Sequence, residues 1–181
     1  AGTARAAFSY RKFRIIFIGL ALSNIGTWMQ NFTLPAYIDD RTGRPALVGL
    51  MVFAQLGPLL VLSIPGGVLA DRVSKQKLQL TMQSASVVLT IAIAYFVAAE
   101  TALWTIFIAQ LGIGIANALN APAFQASIPL LLDRRDLPGA IALNSVSLNG
   151  SRVIGPVIAA LLGIWGVTVS QLFVINAATY L

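Results

Sequence analysis

The sequence predicts an all-α membrane protein built as a bundle of six transmembrane helices. Of its 181 residues, 57% are hydrophobic and only 10% are charged, and the mean hydropathy is +0.83. A soluble domain carries about 25% charged residues, so this chain lacks the polar side chains needed to cover a water-facing surface. Apolar stretches of about 20 residues, the length that crosses a bilayer as a helix, recur along the chain. The lipid bilayer is therefore a predicted partner.

The helices follow from these apolar stretches in chain order. The first stretch comes after basic residues and is similar to a signal peptide, but it is too long and lacks a cleavage site of small residues. Short polar connections separate the later stretches. The sixth is too short to cross a bilayer, so we expect an incomplete helix and a fragment of a longer chain. The predicted spans are 13–38, 46–70, 77–99, 102–131, 139–165 and 168–181.

Basic residues are distributed unequally between the two ends of the predicted bundle. Nine of the twelve Lys and Arg residues lie at one end, and only two lie at the other. Cytoplasmic connections carry the excess of basic residues, so residues 1–12 are predicted to be a cytoplasmic N-terminal tail. Because the cations occupy short loops, nucleic acid is not an expected partner. The nine are Arg5, Arg11, Lys12, Arg14, Arg72, Lys75, Lys77, Arg134 and Arg135, and the two are Arg41 and Arg44.

The connection between the second and third spans contains a motif in the stretch GGVLADRVSKQK, residues 66–77. It resembles the signature G-x-L-A-D-R-x-G-R-K that members of the major facilitator superfamily carry in this loop, although Ser74 and Gln76 depart from it. From the residues alone, the segment is a tight turn anchored at anionic headgroups. The resemblance implies a conformational latch between two halves of a transporter. The latch residues would be Gly67, Asp71, Arg72 and Lys75.

A second part of the resemblance lies in the fifth span. Gly155 and Pro156, in the stretch GSRVIGP, are similar to the Gly-Pro element of the superfamily's antiporters. Together with NAPAFQASIP in the fourth span, this stretch is most similar to the bacterial branch that includes the enterobactin exporter. The resemblance implies that residues 13–181 are the N-terminal half of a twelve-helix transporter of the bacterial inner membrane. Its partners would be a small-molecule substrate and the missing C-terminal half, with no cofactor.

Polar residues inside the spans are the candidates for a substrate cavity, because such sites lie near the bilayer midplane. They form one stripe on the first span and another on the fourth. The alternative is hydrogen bonding between helices, which is worth about 0.6 kcal/mol on average. For the two stripes taken together we favour cavity lining. The candidates are Asn24, Trp28, Asn31, Gln110 and Asn117.

Arg152 is the one basic residue predicted in the interior of a span, too far from either end of the helix for its charge to reach the interface. No Asp or Glu lies within a predicted span. The partner of Arg152 could be a neutral oxygen, a residue of the missing half or an anionic substrate. A structural role and a role in substrate binding or coupling therefore both stay open. Phe107 lies where many antiporters of the superfamily carry an arginine. This departure from the family pattern bears on the mechanism of proton coupling.

These features favour a proton-coupled secondary transporter that exports a small amphipathic or anionic molecule by alternating access. The alternatives are a non-transporting membrane scaffold and a half-size protein that dimerises. An enzyme is disfavoured, because the chain has no Cys, no His and no G-x-S-x-G motif. The lack of Cys and His also disfavours the usual zinc sites, so no metal is expected.

Overall fold

The computed structural model describes residues 3–180, with the exception of the side chains of Ala70 and Asp71. Every regular element in this part of the chain is a helix, which confirms the all-α class. Each predicted span corresponds to a helix whose ends lie within about one turn of the expected residues. The α-helices are α1 (Ala4–Ser9), α2 (Arg11–Thr42), α3 (Pro45–Arg72), α4 (Lys75–Ala98), α5 (Leu103–Ser127), α6 (Leu137–Ile164) and α7 (Val169–Thr179), with 3₁₀ turns at Ile128–Leu130 and Arg134–Asp136.

Local sequence explains where the helices begin and end. Gly43 adopts a left-handed conformation (φ 57°) that ends α2 later than predicted. Pro45 occupies the first turn of α3, where its missing N–H is not needed. The fourth span was expected to continue to residue 131, but α5 ends at Ser127 and a 3₁₀ turn follows. Pro129 accounts for the change, because proline lacks the N–H that would continue the helix.

Four of the described helices are long and apolar enough to cross a membrane, namely Pro45–Leu69, Lys75–Ala98, Leu103–Leu130 and Arg134–Ile164. α2 has 32 residues but is not among them, since Asn and Gln side chains interrupt its apolar sequence. α7 is apolar but has only 11 residues. Large apolar side chains face outward, as lipid contact requires: Leu60 is 82% exposed and Ile64 is 80% exposed. The chain is a multi-pass membrane protein, and the count of six spans stays a prediction.

The N-terminal segment, expected as a tail over residues 1–12, contains the helix α1. The Thr3 hydroxyl accepts a hydrogen bond from the backbone nitrogen of Ala6 and so caps this helix. Ala7 is buried, and α1 packs against α6. At Gly139 of α6, an added side chain would collide with the backbone of Thr3. The segment is therefore docked on the bundle.

The bundle consists of two groups of helices, and α7 packs against both groups. α2 packs against α6, and α5 packs against both α3 and α4, while α7 contacts α2 and α4. The largest buried apolar cluster lies near the connection between α2 and α3, and a smaller one lies at the opposite end beside α1. Members of the large cluster include Leu34, Ile38, Met51, Ile93, Ile106 and Phe173.

The crossing of α3 and α5 depends on the absence of a side chain at Gly114. A Cβ atom there would lie 2.5 Å from the carbonyl oxygen of Ala54 and 2.8 Å from that of Gln55. We expect Gly114→Ala to lower the free energy of unfolding by about 1–3 kcal/mol, measured by thermal unfolding in detergent. Gly163→Ala is the matched control, since nothing lies within 4 Å of a Cβ there, and it should be neutral or stabilising. An unchanged melting temperature for Gly114→Ala would contradict the close crossing.

Candidate functional site

A cavity of about 220 Å³ lies between α2, α4, α5 and α6, with Tyr180, the residue that follows α7, as part of its wall. An adjoining hollow of about 260 Å³ shares part of its wall with the cavity, namely Leu20, Gln83, Asn120, Phe124 and Tyr180. No charged residue lines the cavity, and no group of three or more metal-ligating side chains occurs in the described part of the chain. Apolar side chains such as Leu20 and Phe124 provide part of its wall. The amides that line it are Asn24, Gln83, Asn117, Asn120, Gln125 and Asn144.

Three of these amides carry a buried polar atom without a hydrogen-bond partner among the described residues. The atoms are Nδ2 of Asn24, Oδ1 of Asn120 and Oδ1 of Asn144. Leaving such an atom unpaired costs about 1–3 kcal/mol, and native structures pair most of them. These atoms have almost no accessible surface, so a ligand that offers donors and acceptors would pair with them only after the amide side chains turn toward the cavity. The cavity is therefore the best candidate for a substrate site.

A second group of polar side chains forms hydrogen bonds within the bundle. Nε2 of Gln30 donates to Oε1 of Gln110 at 3.1 Å, and Oε1 of Gln30 accepts from Nδ2 of Asn176 at 2.6 Å. Longer contacts of 3.5 Å join Thr90 to Gln30 and Gln110 to Gln55. These five side chains, the amide network, connect α2, α3, α4, α5 and α7.

Gln110, predicted to line the cavity, is placed by the structure in the amide network and is only 1% exposed. The other four members were not predicted as site residues. Their only signal in the sequence is a polar residue within an apolar helix, and the cavity amides carry the same signal. Sequence position alone therefore does not separate the two groups.

Arg152 extends from α6 over the ring of Trp28 on α2, with its guanidinium carbon 5.1 Å from the ring centroid. Its Nη1 lies 3.5 Å from Oδ1 of Asn149. No carboxylate in the described part of the chain lies within ion-pair distance of it, because both ion pairs there belong to another arginine. Leu148 and Asn144, one and two turns earlier on α6, line the cavity. Arg152 is exposed and does not itself line the cavity, so its charge, which has no ion-pair partner among the described residues, lies about one turn along α6 from the cavity wall.

The other residues predicted for the cavity occupy different surroundings. Asn24 and Asn117 line the cavity together, and Trp28 lies next to it in the stacked pair. Asn31 lines a separate hollow nearer the C-terminal end of α2. The structure brings Asn24, Trp28, Asn117 and Arg152 to one region and leaves Asn31 outside it.

Comparison with known proteins decides the family. The major facilitator profile described as transmembrane secretion effector matches residues 2–181, almost the whole chain. The chain belongs to this family. The resemblance inferred from the loop motif is confirmed, and no solved structure matches the chain.

Three curated relatives of this family member are named as bacterial transport proteins. The staphyloferrin A transporter of Staphylococcus aureus is 29% identical over 76% of this chain and 35% of its own length. Macrolide efflux protein A of Streptococcus pyogenes is 28% identical over 85% of this chain and 38% of its own length. The enterobactin exporter EntS of Shigella boydii is 29% identical over 83% of this chain and 36% of its own length. The chain spans little more than a third of these relatives, whose names describe transporters rather than enzymes.

The Gly-Pro element of this transporter-family chain lies where α6 crosses α2. A Cβ atom on Gly155 would lie 2.7 Å from the backbone nitrogen of Met29 and 2.9 Å from Cβ of Trp28. Pro156 follows within α6 and does not end the helix. The close crossing brings Arg152, about one turn earlier, within reach of the Trp28 ring.

The predicted latch residues lie at or near the connection between α3 and α4. Gly67 has no atom within 4 Å of a Cβ position, Arg72 is exposed and Lys75 is half-buried. The side chain of Asp71 lies outside the described residues. Among the described side chains, none forms a hydrogen bond or an ion pair with the side chain of Arg72 or Lys75, so the latch role stays a prediction.

The amide network and the cavity should respond differently to the loss of a polar group. Gln30→Leu removes the bonding partner of Gln110 and Asn176, so we expect the free energy of unfolding to fall by about 1–3 kcal/mol. Asn120→Leu removes an oxygen that has no partner among the described residues, so the free energy of unfolding should be unchanged or higher. Substitution of residues that are retained for function often has this effect. Thermal unfolding of both variants in detergent is the measurement. Equal losses would contradict the distinction.

Proposed function

We propose that the chain is the N-terminal six-helix half of a twelve-helix secondary transporter of the bacterial inner membrane. The protein exports a small amphipathic or anionic molecule in exchange for protons. Relatives named as an exporter, an efflux protein and a transporter support export. The chain aligns with little more than a third of each relative, which supports a second half of the transporter. In that case α7 is the first part of the sixth span. The excess of basic residues at one end supports a cytoplasmic N-terminus.

The observation that carries this proposal is the amide-lined cavity inside an apolar bundle. Its neutral amides offer donors and acceptors to the polar groups of a substrate, and Phe124 and Leu20 offer apolar contact. Sites of this kind combine apolar walls with a few polar groups that orient the ligand. An amphipathic molecule meets both requirements.

Arg152 extends the specificity of the site toward anions. A positive charge within a membrane protein is costly unless it is paired or hydrated, and an anionic substrate group would pair with it. The Trp28 ring covers the guanidinium by a cation–π contact. This arrangement leaves N–H groups at the edge of the guanidinium available for two-point binding of a carboxylate.

Transport would follow from rocking of the two halves about this site. The amide network links five helices of the described half and so favours movement as one body. Gly67, Asp71, Arg72 and Lys75 would form the latch at the cytoplasmic end. Because the predicted spans contain no Asp or Glu, we assign the proton-binding acid to the other half.

Substitution of Arg152 tests the site. In the intact transporter, Arg152→Gln should abolish export and leave the melting temperature largely unchanged, because the substitution breaks no ion pair among the described residues. Arg152→Lys should recover only part of the export, since an ammonium group lacks the planar set of donors with which a guanidinium binds a carboxylate at two points. Uptake of enterobactin, staphyloferrin A or a macrolide into inverted vesicles is the measurement, with these probes taken from the relatives.

Two controls make the result interpretable. Arg44→Gln removes an exposed charge far from the cavity and should leave export unchanged. In a variant of the intact transporter that keeps Trp28 as its only tryptophan, with Trp104→Phe and Trp165→Phe among the changes, fluorescence of Trp28 reports whether the stacked pair is intact. If export falls in step with melting temperature across the Arg152 variants, Arg152 is a packing residue and the site assignment is wrong.

The proposed orientation can be tested by cysteine labelling, because the chain has no native Cys. Gly43→Cys and Ser74→Cys place single thiols in the connections at opposite ends of the bundle. A membrane-impermeant maleimide added to intact cells should label position 43 only, and position 74 should react after the membrane is opened. Labelling of both positions from outside would contradict the orientation.

A further inference from the structure

The N-terminal elbow, residues 3–14, folds back onto the bundle at the junction of α1 and α2. The Phe8 ring packs edge-on against Phe17, with 5.2 Å between the ring centroids. The Tyr10 hydroxyl lies 3.0 Å from Oδ2 of Asp133 and 3.0 Å from Oδ2 of Asp136. Partial burial and these hydrogen bonds raise the pKa of Tyr10 above its ordinary value, so the hydroxyl stays protonated and donates. The elbow is thereby held against the connection between α5 and α6.

The elbow carries four exposed basic residues that the nearby acids do not neutralise. Asp133 and Asp136 already lie 3.5 Å and 3.8 Å from nitrogens of Arg135. These are the ion pairs that the described part of the chain contains, and neither includes an elbow cation. The four exposed cations are Arg5, Arg11, Lys12 and Arg14.

One exposed stripe of α2 changes from basic to aliphatic within a single turn. Arg11, Ile15, Ile18 and Leu22 share a helix face by their spacing. The three aliphatic side chains are 60%, 48% and 53% exposed, which suits hydrocarbon rather than water. The cations directly before them then lie at the level of the headgroups. A soluble acidic partner would not account for an aliphatic stripe that continues from the cations.

We propose that the elbow is a docking surface for anionic phospholipid headgroups, with Arg11, Lys12 and Arg14 as the groups that attract the phosphate. The proposal rests on the proposed insertion of α2 into the bilayer and not on transport. Tyr10 holds the cations in place from the protein side. Bound lipid would in turn hold the elbow against the α5–α6 connection.

Retention of lipid by the purified protein tests this surface. Native mass spectrometry compares bound dioleoylphosphatidylglycerol with dioleoylphosphatidylcholine, and we expect the anionic lipid to be preferred. The triple variant Arg11→Gln/Lys12→Gln/Arg14→Gln should reduce this preference roughly tenfold or more, since each basic residue near an anionic surface contributes several-fold. Arg11→Lys/Arg14→Lys keeps every charge and should retain most of the preference. Arg44→Gln should behave like the parent protein.

The possible results distinguish docking of an anionic lipid from binding of a free anion. Equal retention of the two lipids, or equal preference in the Gln and Lys variants, would overturn the proposal. Stabilisation by glycerol 3-phosphate alone, equal to that by the anionic lipid, would also overturn it and indicate a site for a free anion. If the triple variant does not fold, Arg14→Gln alone should still show a several-fold reduction. Because the readout is lipid retention, failure leaves the proposed transport function intact.

Discussion

The amide of Gln30 is the interaction on which the arrangement of the described helices depends. Within lipid, burial of apolar surface does not drive helices together, so close packing and directional hydrogen bonds decide which helices adjoin. Gln30 contacts Gln110 of α5, Asn176 of α7 and Thr90 of α4, three helices that are distant in the chain. Gly26, one turn earlier on α2, has no side chain to obstruct Asn176. The short helix α7 can therefore reach the centre of the bundle.

The same residue types serve a second purpose a short distance away. In the amide network, Asn and Gln side chains bond to one another and connect helices. Around the cavity, Asn24, Asn120 and Asn144 each keep a polar atom unpaired. An unpaired polar atom opposes folding, so the presence of three such amides around one cavity favours a binding role for them over a structural one. The network connects α2, α4 and α5, three of the helices that surround the cavity.

The sequence by itself determined the class of the protein and the positions of its helices. Composition excluded a water-facing surface, and the length of each apolar stretch placed the helices to within about one turn. The loop motif beginning at Gly67 indicated the family. These properties are local or compositional, so they do not require knowledge of which helices meet.

Only the tertiary structure decided which polar residues meet. Gln110 and Asn117 lie seven residues apart on one face of α5, yet one enters the network and the other lines the cavity. Tyr10 bonds to an aspartate 123 positions away, and Trp28 covers an arginine from another helix. Helical periodicity defines the faces of a helix but not the neighbour that covers each face. That choice depends on close crossings, such as the one at Gly155, and these exist only when the whole bundle is assembled.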